Sequence, residues 1–146
     1  MENYEGAYRQ RHGDTEVLHG ADRKTAAMHL GGCAVECLLK AMILAQIPDP
    51  DQRQWHTDEA PQSHGIKRPG HDLQDALKQY RKLYDRVLKN PQVLKWFNAV
   101  EVPSQHFIDL RYSDMEPSTE GYKTWWDAYT KLCRWLDRQQ IMLKRD

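Results

Sequence analysis

The hydrophobic positions of this chain recur at helical spacing, and no stretch alternates apolar and polar residues with the period of a strand. The longest apolar run, Ala26 to Leu44 (AAMHLGGCAVECLLKAMIL), has almost no polar face. A helix of that kind belongs in the middle of a bundle. It nevertheless carries Glu36 and Lys40 near its centre, and charges withdrawn from water need partners. Asp22 is placed to cap its start, because a carboxylate can accept bonds from the first free amides. Pro48 stops the helix after about Gln46.

Before that run, Tyr4, Ala7, Tyr8, Thr15 and Leu18 form a weaker stripe that Gly20 ends. Gly6 and Gly13 fall inside it, and a glycine costs about 1 kcal/mol relative to alanine in a helix interior. A third helix reads as one continuous stripe from the Asp72 cap through Leu73, Ala76, Leu77, Tyr80, Tyr84, Val87 and Leu88 to Asn90-Pro91. Val93 to Val100 is a short apolar segment with Trp96 and Phe97, and SQHFIDLRYSDMEPS is expected to hold a turn of helix before Arg111-Tyr112. The last helix starts near Ser118 or Thr119 and presents Tyr122, Trp125, Trp126, Tyr129, Leu132, Cys133 and Leu136 on one face. Trp135 falls off that face, as a residue at a dimer or partner surface would. These elements predict an all-α, four- to five-helix up-and-down bundle. It forms a single domain over residues 1–146, with a long polar loop at 48–70.

Lys and Arg together number 21, as do Asp and Glu. With no net charge, no strong field draws the chain to nucleic acid or membrane, and any nucleic-acid contact needs a local patch. His29, Glu36 and Lys40 would be costly at membrane depth, so the apolar run is expected inside a bundle and no membrane partner is expected. Three cysteines without a signal-peptide pattern point to free thiols and a cytoplasmic location. Five Trp and seven Tyr suggest an aromatic core or an interface with aromatic anchors.

Several residues carry candidate chemistry. Glu36 and Lys40 stand at i, i+4 with the acid first, the favourable order, and His29 continues their row along the helix. They read either as a satisfied polar seam, paired with Arg11 or Arg111, or as a ligand or dimer-cleft site with Arg111 and Tyr112. Arg111 suits a carboxylate because its planar fork can bond both oxygens. His29, Cys33 and Cys37 are all metal-ligand types, but no second ligand cluster accompanies them, so neither metal nor cofactor is expected. His71 precedes the third helix, where an anion could bind, with Lys67 and Arg68 nearby. The loop also holds His56, Asp58, Glu59 and His64. Lys78, Arg81, Lys82, Arg86 and Lys89 lie opposite the apolar stripe of the third helix. They form the best nucleic-acid patch candidate, although a solvated face would look the same.

Three segments together resemble the HEPN domain, a helical module of prokaryotic toxin–antitoxin and defence systems. They are RHGDTEVLHGADRKTAAMHLGGCAVECLLKAMI at 11–43, the His71-Asp72-Leu73 start, and Leu110-Arg111-Tyr112 with the aromatic last helix. The core of the likeness is the run Ala34, Val35, Glu36, Cys37, Leu39, Lys40 and Ala41. The resemblance implies a helical bundle, a homodimer, and a minimal nucleotidyltransferase as partner protein, with RNA or a nucleotide as further binding targets. It also implies, as an alternative, a metal-independent ribonuclease, whose mark is an Arg followed after four to six residues by a His at the dimer cleft. No His follows Arg111. The pair Arg23 and His29 has the spacing but lies on the second helix, and chance alone accounts for one such pair. A binding module is therefore the first expectation, a ribonuclease with a non-standard site the second, and a small-anion or nucleotide binder using Glu36, Arg111 and His71 the third.

Overall fold

The computed structural model describes residues 3–55 and 69–145, all in helices, turns and coil. Among the described residues there are six α-helices: α1 (Tyr4–Gly20), α2 (Lys24–Leu44), α3 (Leu73–Lys78), α4 (Arg81–Leu88), α5 (Pro91–Glu101) and α6 (Thr119–Arg145). Two short 3-10 turns, Pro50–Gln52 and Phe107–Tyr112, interrupt the connections. The all-α class follows the hydrophobic pattern, but the number of helices exceeds the expected four to five.

α1 forms despite its glycines. Asn3 accepts a hydrogen bond from the amide of Gly6 at 2.9 Å and caps the helix. The rest of its stability comes from packing, since α1 lies along α2 more extensively than any other pair of elements meets. Asp22 does not cap α2, contrary to expectation. The N-cap is Arg23, without a side-chain bond, and Asp22 sits at φ 59°, in the left-handed region. There it reverses the chain, while the Ala21 and Arg23 amides donate back to Val17 and Leu18. Aspartate is among the few residues that tolerate this conformation.

α2 is the central strut. Ala27, Ala34, Val35, Leu38, Leu39, Met42 and Ile43 are all buried. It is long and apolar enough to cross a membrane, and two thirds of it is buried within the bundle. Adjacent glycines let two aromatic elements approach it. A Cβ on Gly31 would stand 2.6 Å from the Trp125 ring of α6, and one on Gly32 would stand 2.2 Å from Phe107. The expected turn before Arg111 is thus the 3-10 turn Phe107–Tyr112, which lays Phe107 and Leu110 on α2.

The stripe read as one third helix breaks at Gln79–Tyr80, where neither glycine nor proline announces it. α3 turns Leu73, Ala76 and Leu77 toward α2, whereas α4 packs Leu83 and Val87 against α3 and α5. The Gln79 carbonyl freed by the break accepts a bond from Gln46 Nε2 at 3.3 Å. Asn90 then caps α5 by accepting from Val93 N, with Pro91 in the first helical position. α6 begins as expected, with Ser118 Oγ accepting from Gly121 N at 3.0 Å. It packs chiefly on α5 and more lightly on α2. The gap between α1 and α6 is bridged by side chains: His12 Nδ1 meets the Tyr129 hydroxyl, and His19 Nδ1 the Tyr122 hydroxyl, each at 2.7 Å.

The glycines make the packing testable. Gly32→Ala is expected to cost about 1–3 kcal/mol by overpacking against Phe107. Gly13→Ala meets no atom within 4 Å and is expected to gain up to about 1 kcal/mol from helix propensity alone. Urea unfolding of the two variants measures both. Equal effects in the two would refute the close approach at Gly32.

Candidate functional site

The apolar surround of α2 places Glu36 and Lys40 in the interior, where each must find a partner within the chain. Lys40 Nζ donates to Glu36 Oε2 at 3.0 Å, and both side chains are nearly inaccessible. The second carboxylate oxygen, Oε1, lies 2.7 Å from His71 Nδ1. His71 enters from the residue pair that leads into α3, and its side chain is 55% exposed. Tyr4 at the start of α1 covers the ammonium, with its ring centroid 5.7 Å from Nζ. Trp55 closes the far side by donating its indole N–H to the Tyr4 hydroxyl at 2.9 Å. Four separate parts of the chain thus converge on one charge pair.

The chemistry of this network follows from its bonds. A neutral His71 that donates from Nδ1 carries its lone pair on Nε2. A buried carboxylate that fixes the tautomer of a half-exposed imidazole is the arrangement by which an acid positions a general base. It is equally a means of satisfying a buried acid. The partners expected for Glu36 were Arg11 or Arg111, and neither is used. Arg11 Nε lies 3.2 Å from Asp14 Oδ2, its own helical neighbour, with poor hydrogen-bond alignment. Arg111 is exposed and lies over the ring of the equally exposed Tyr112, 4.7 Å from its centroid.

His29 also leaves the expected row. It meets the Phe107 carbonyl through Nδ1 at 2.9 Å, and Cys33 Sγ is 4.0 Å from its Nε2. It therefore pins the Phe107 turn to α2. Burial pushes the Cys33 thiol up to about 11, with Glu36 adding to the effect, and Cys37 shifts the same way for the same reasons. Both thiols hold their protons near neutrality.

The basic residues of α3 and α4 are divided among different tasks. Arg81 pairs with Asp85 at 3.2 Å, and Arg86 donates to Gln139 Oε1 of α6 at 2.7 Å. Lys78, Lys82 and Lys89 are exposed. The loop candidates His56, Asp58, Glu59, His64, Lys67 and Arg68 lie outside the described residues.

Two groups not singled out in the sequence, Glu101 and His106, come together with Asp72 beside His71. Asp72, Glu101 and His106 offer ligand-type atoms within 4.8 Å of one another. His106 Nδ1 accepts from the Ile108 amide at 3.2 Å, so the proton of the neutral ring sits on Nε2. That atom lies 3.1 Å from Asp72 Oδ1, an ion-pair distance with too poor an angle for a hydrogen bond. Glu101 accepts from the Gln74 amide at 2.8 Å, and burial raises its carboxyl above the usual range. A cation would have to move the His106 proton and break the Ile108 bond, so the trio reads as the clasp that holds α3, α5 and the Phe107 turn together. Asp72 was expected to cap α3 and makes no capping bond. Its carboxylate faces His106 instead.

The sequence also gave no hint of the open groove between α1 and α6. Its cavity of about 680 Å³ is lined from α1 by Tyr8, Arg9 and His12 and from α6 by Trp126, Arg134 and Arg138, among others. The residues on each side recur at helical spacing, but they alternate in charge and so resemble ordinary solvated faces.

Removing one member of the Glu36–Lys40 pair leaves the other charged and buried. Lys40→Met and Glu36→Leu are each expected to lose about 3 kcal/mol or more. The double variant Glu36→Leu/Lys40→Leu is expected within about 1 kcal/mol of the parent, because only the half-exposed His71 then loses a hydrogen-bond partner. Chemical denaturation of the three variants checks this, and additive losses would refute it.

Comparison of the chain with protein-family models, with curated proteins and with solved structures finds no match in any of the three.

Proposed function

We propose that this chain is a HEPN-like module of toxin–antitoxin or defence type, acting as a homodimer and working by binding rather than by cleavage. Its binding targets are a minimal nucleotidyltransferase partner and RNA or a nucleotide, and its location is cytoplasmic. One observation carries the preference for binding. Both oxygens of Glu36, in the run where the family likeness is greatest, are taken by Lys40 and His71, so that run is committed to holding the bundle. The exposed Lys78, Lys82 and Lys89 offer cations to a phosphate backbone. Val17, Tyr112 and Met115 are large apolar side chains left more than two thirds exposed, the kind of surface a second copy covers.

A second reading, a metal-independent ribonuclease with a non-standard site, draws on one specific feature. His71 is oriented by a buried acid and its side chain is half-exposed, which suits proton transfer at a ribose hydroxyl. Arg23 and His29 do not supply such a site: Arg23 is the exposed N-cap of α2, and His29 is tied to Phe107.

Incubation of the purified protein with cellular RNA in the absence of metal separates the two. The binding reading expects intact RNA and a retarded complex that weakens in a Lys78→Ala/Lys82→Ala/Lys89→Ala variant. Cleavage that disappears in His71→Ala would overturn it in favour of the second. Light scattering should return a mass near twice 17.2 kDa, and a monomer at micromolar concentration would remove the homodimer from the proposal.

A further inference from the structure

We propose that the groove between α1 and α6 is a binding site for a small phosphate monoester carried on a flat apolar body. The site lies on other helices than Glu36 and His71 and does not depend on either reading of that network.

In a bundle of this size neighbouring helices ordinarily close on apolar ridges. Here α1 and α6 turn Tyr8, Arg9 and His12 toward Trp126, Arg134 and Arg138, and the space between them, about 680 Å³, falls within the range of small-molecule pockets. It is held open by side chains that reach across. The Tyr129 hydroxyl meets His12 Nδ1 at 2.7 Å, and the Tyr8 hydroxyl donates to Asp137 Oδ2 at 3.4 Å.

The charges of the groove are only partly paired. Each acid of the groove has a partner other than Arg134 and Arg138. Glu5 pairs with Arg9 at 3.5 Å, Glu16 lies 3.4 Å from His12 Nε2, and Asp137 receives the Tyr8 hydroxyl. Arg134 and Arg138 have no ion-pair partner among the described residues, and both are exposed on one side of α6, one helical turn apart. Two adjacent guanidinium groups outside any ion pair can both bond one ligand of two negative charges. A phosphate monoester supplies nearly that charge at neutral pH, and its three terminal oxygens can bond both planar forks, whereas a carboxylate brings one charge and two oxygens.

The groove also has an aromatic wall. Trp126 is fixed by its stack on His19, with ring centroids 3.6 Å apart and planes 4° from parallel, so it presents a rigid aromatic surface to the groove beside Tyr8. A flat apolar body packs against such a surface at little conformational cost.

Titration calorimetry of the full chain with 1-naphthyl phosphate tests the site, with inorganic phosphate and 1-naphthol as separate arms. The expected result is saturable binding of the ester and at least tenfold weaker binding of either fragment. Arg134→Ala and Arg138→Ala should each weaken the ester at least tenfold, and Arg138→Lys by less. Lys95→Ala, on the exposed face of α5, should leave it unchanged. Both α6 arginines are exposed, so thermal melting of the variants should match the parent. No heat from the ester at millimolar concentration, equal affinity for 1-naphthol, or unchanged affinity in both alanine variants would overturn the proposal.

Discussion

A carboxylate and an ammonium buried one turn apart on the central helix set the terms for the rest of this fold. Neither Glu36 nor Lys40 can return to water without unpacking α2, so the chain must bring partners to them. It brings His71 from the start of α3 to the free carboxylate oxygen, and Tyr4, itself bonded by Trp55, over the ammonium. An apolar pair at these positions would pack as well but would be indifferent to where α3 begins. A single acceptor at Oε1 fixes that position, which is the sense in which a buried polar network can specify an arrangement as well as stabilise it.

Around that strut the bundle uses two different kinds of contact. Where α2 is narrowest, at Gly31 and Gly32, Trp125 and Phe107 lie directly on its backbone, and the seam is close. Where α1 faces α6, the contact is made by imidazole and phenol pairs, and the helices stand apart. Burial drives the Tyr8 and Tyr129 hydroxyls far above their ordinary range, so they keep their protons and can donate. A histidine placed opposite such a phenol is held without an apolar ridge. The one side gives the molecule its rigidity, and the other leaves it a concave surface.

What the amino-acid pattern made legible follows from the same physics. α2 and α6 declare themselves, because a run apolar all round and an aromatic stripe at strict spacing have few other solutions. α1 was legible only as a weak stripe ended by Gly20, because its helix depends on α2 for support. The break at Gln79–Tyr80 was hidden, since it arises from α3 and α4 serving different neighbours and not from a breaking residue. In the candidate site, the i, i+4 spacing of Glu36 and Lys40 identified the pair, and His71 was noted for its place before a helix. That the two belong together was not readable, because their 35-residue separation carries no local signal and Arg111 looked the better match for a carboxylate. The α1–α6 groove was missed because its charges, read along one helix at a time, look like water-facing residues.

The central claim is that Glu36 holds His71 in one tautomer and thereby ties α3 to α2. Long-range proton–nitrogen correlation spectra of the His71 imidazole test it directly. The account predicts that the neutral ring carries its proton on Nδ1, and that Glu36→Gln shifts the population toward the Nε2–H form common in free imidazole. A neutral His71 already in the Nε2–H form, or spectra unchanged by Glu36→Gln, would contradict it.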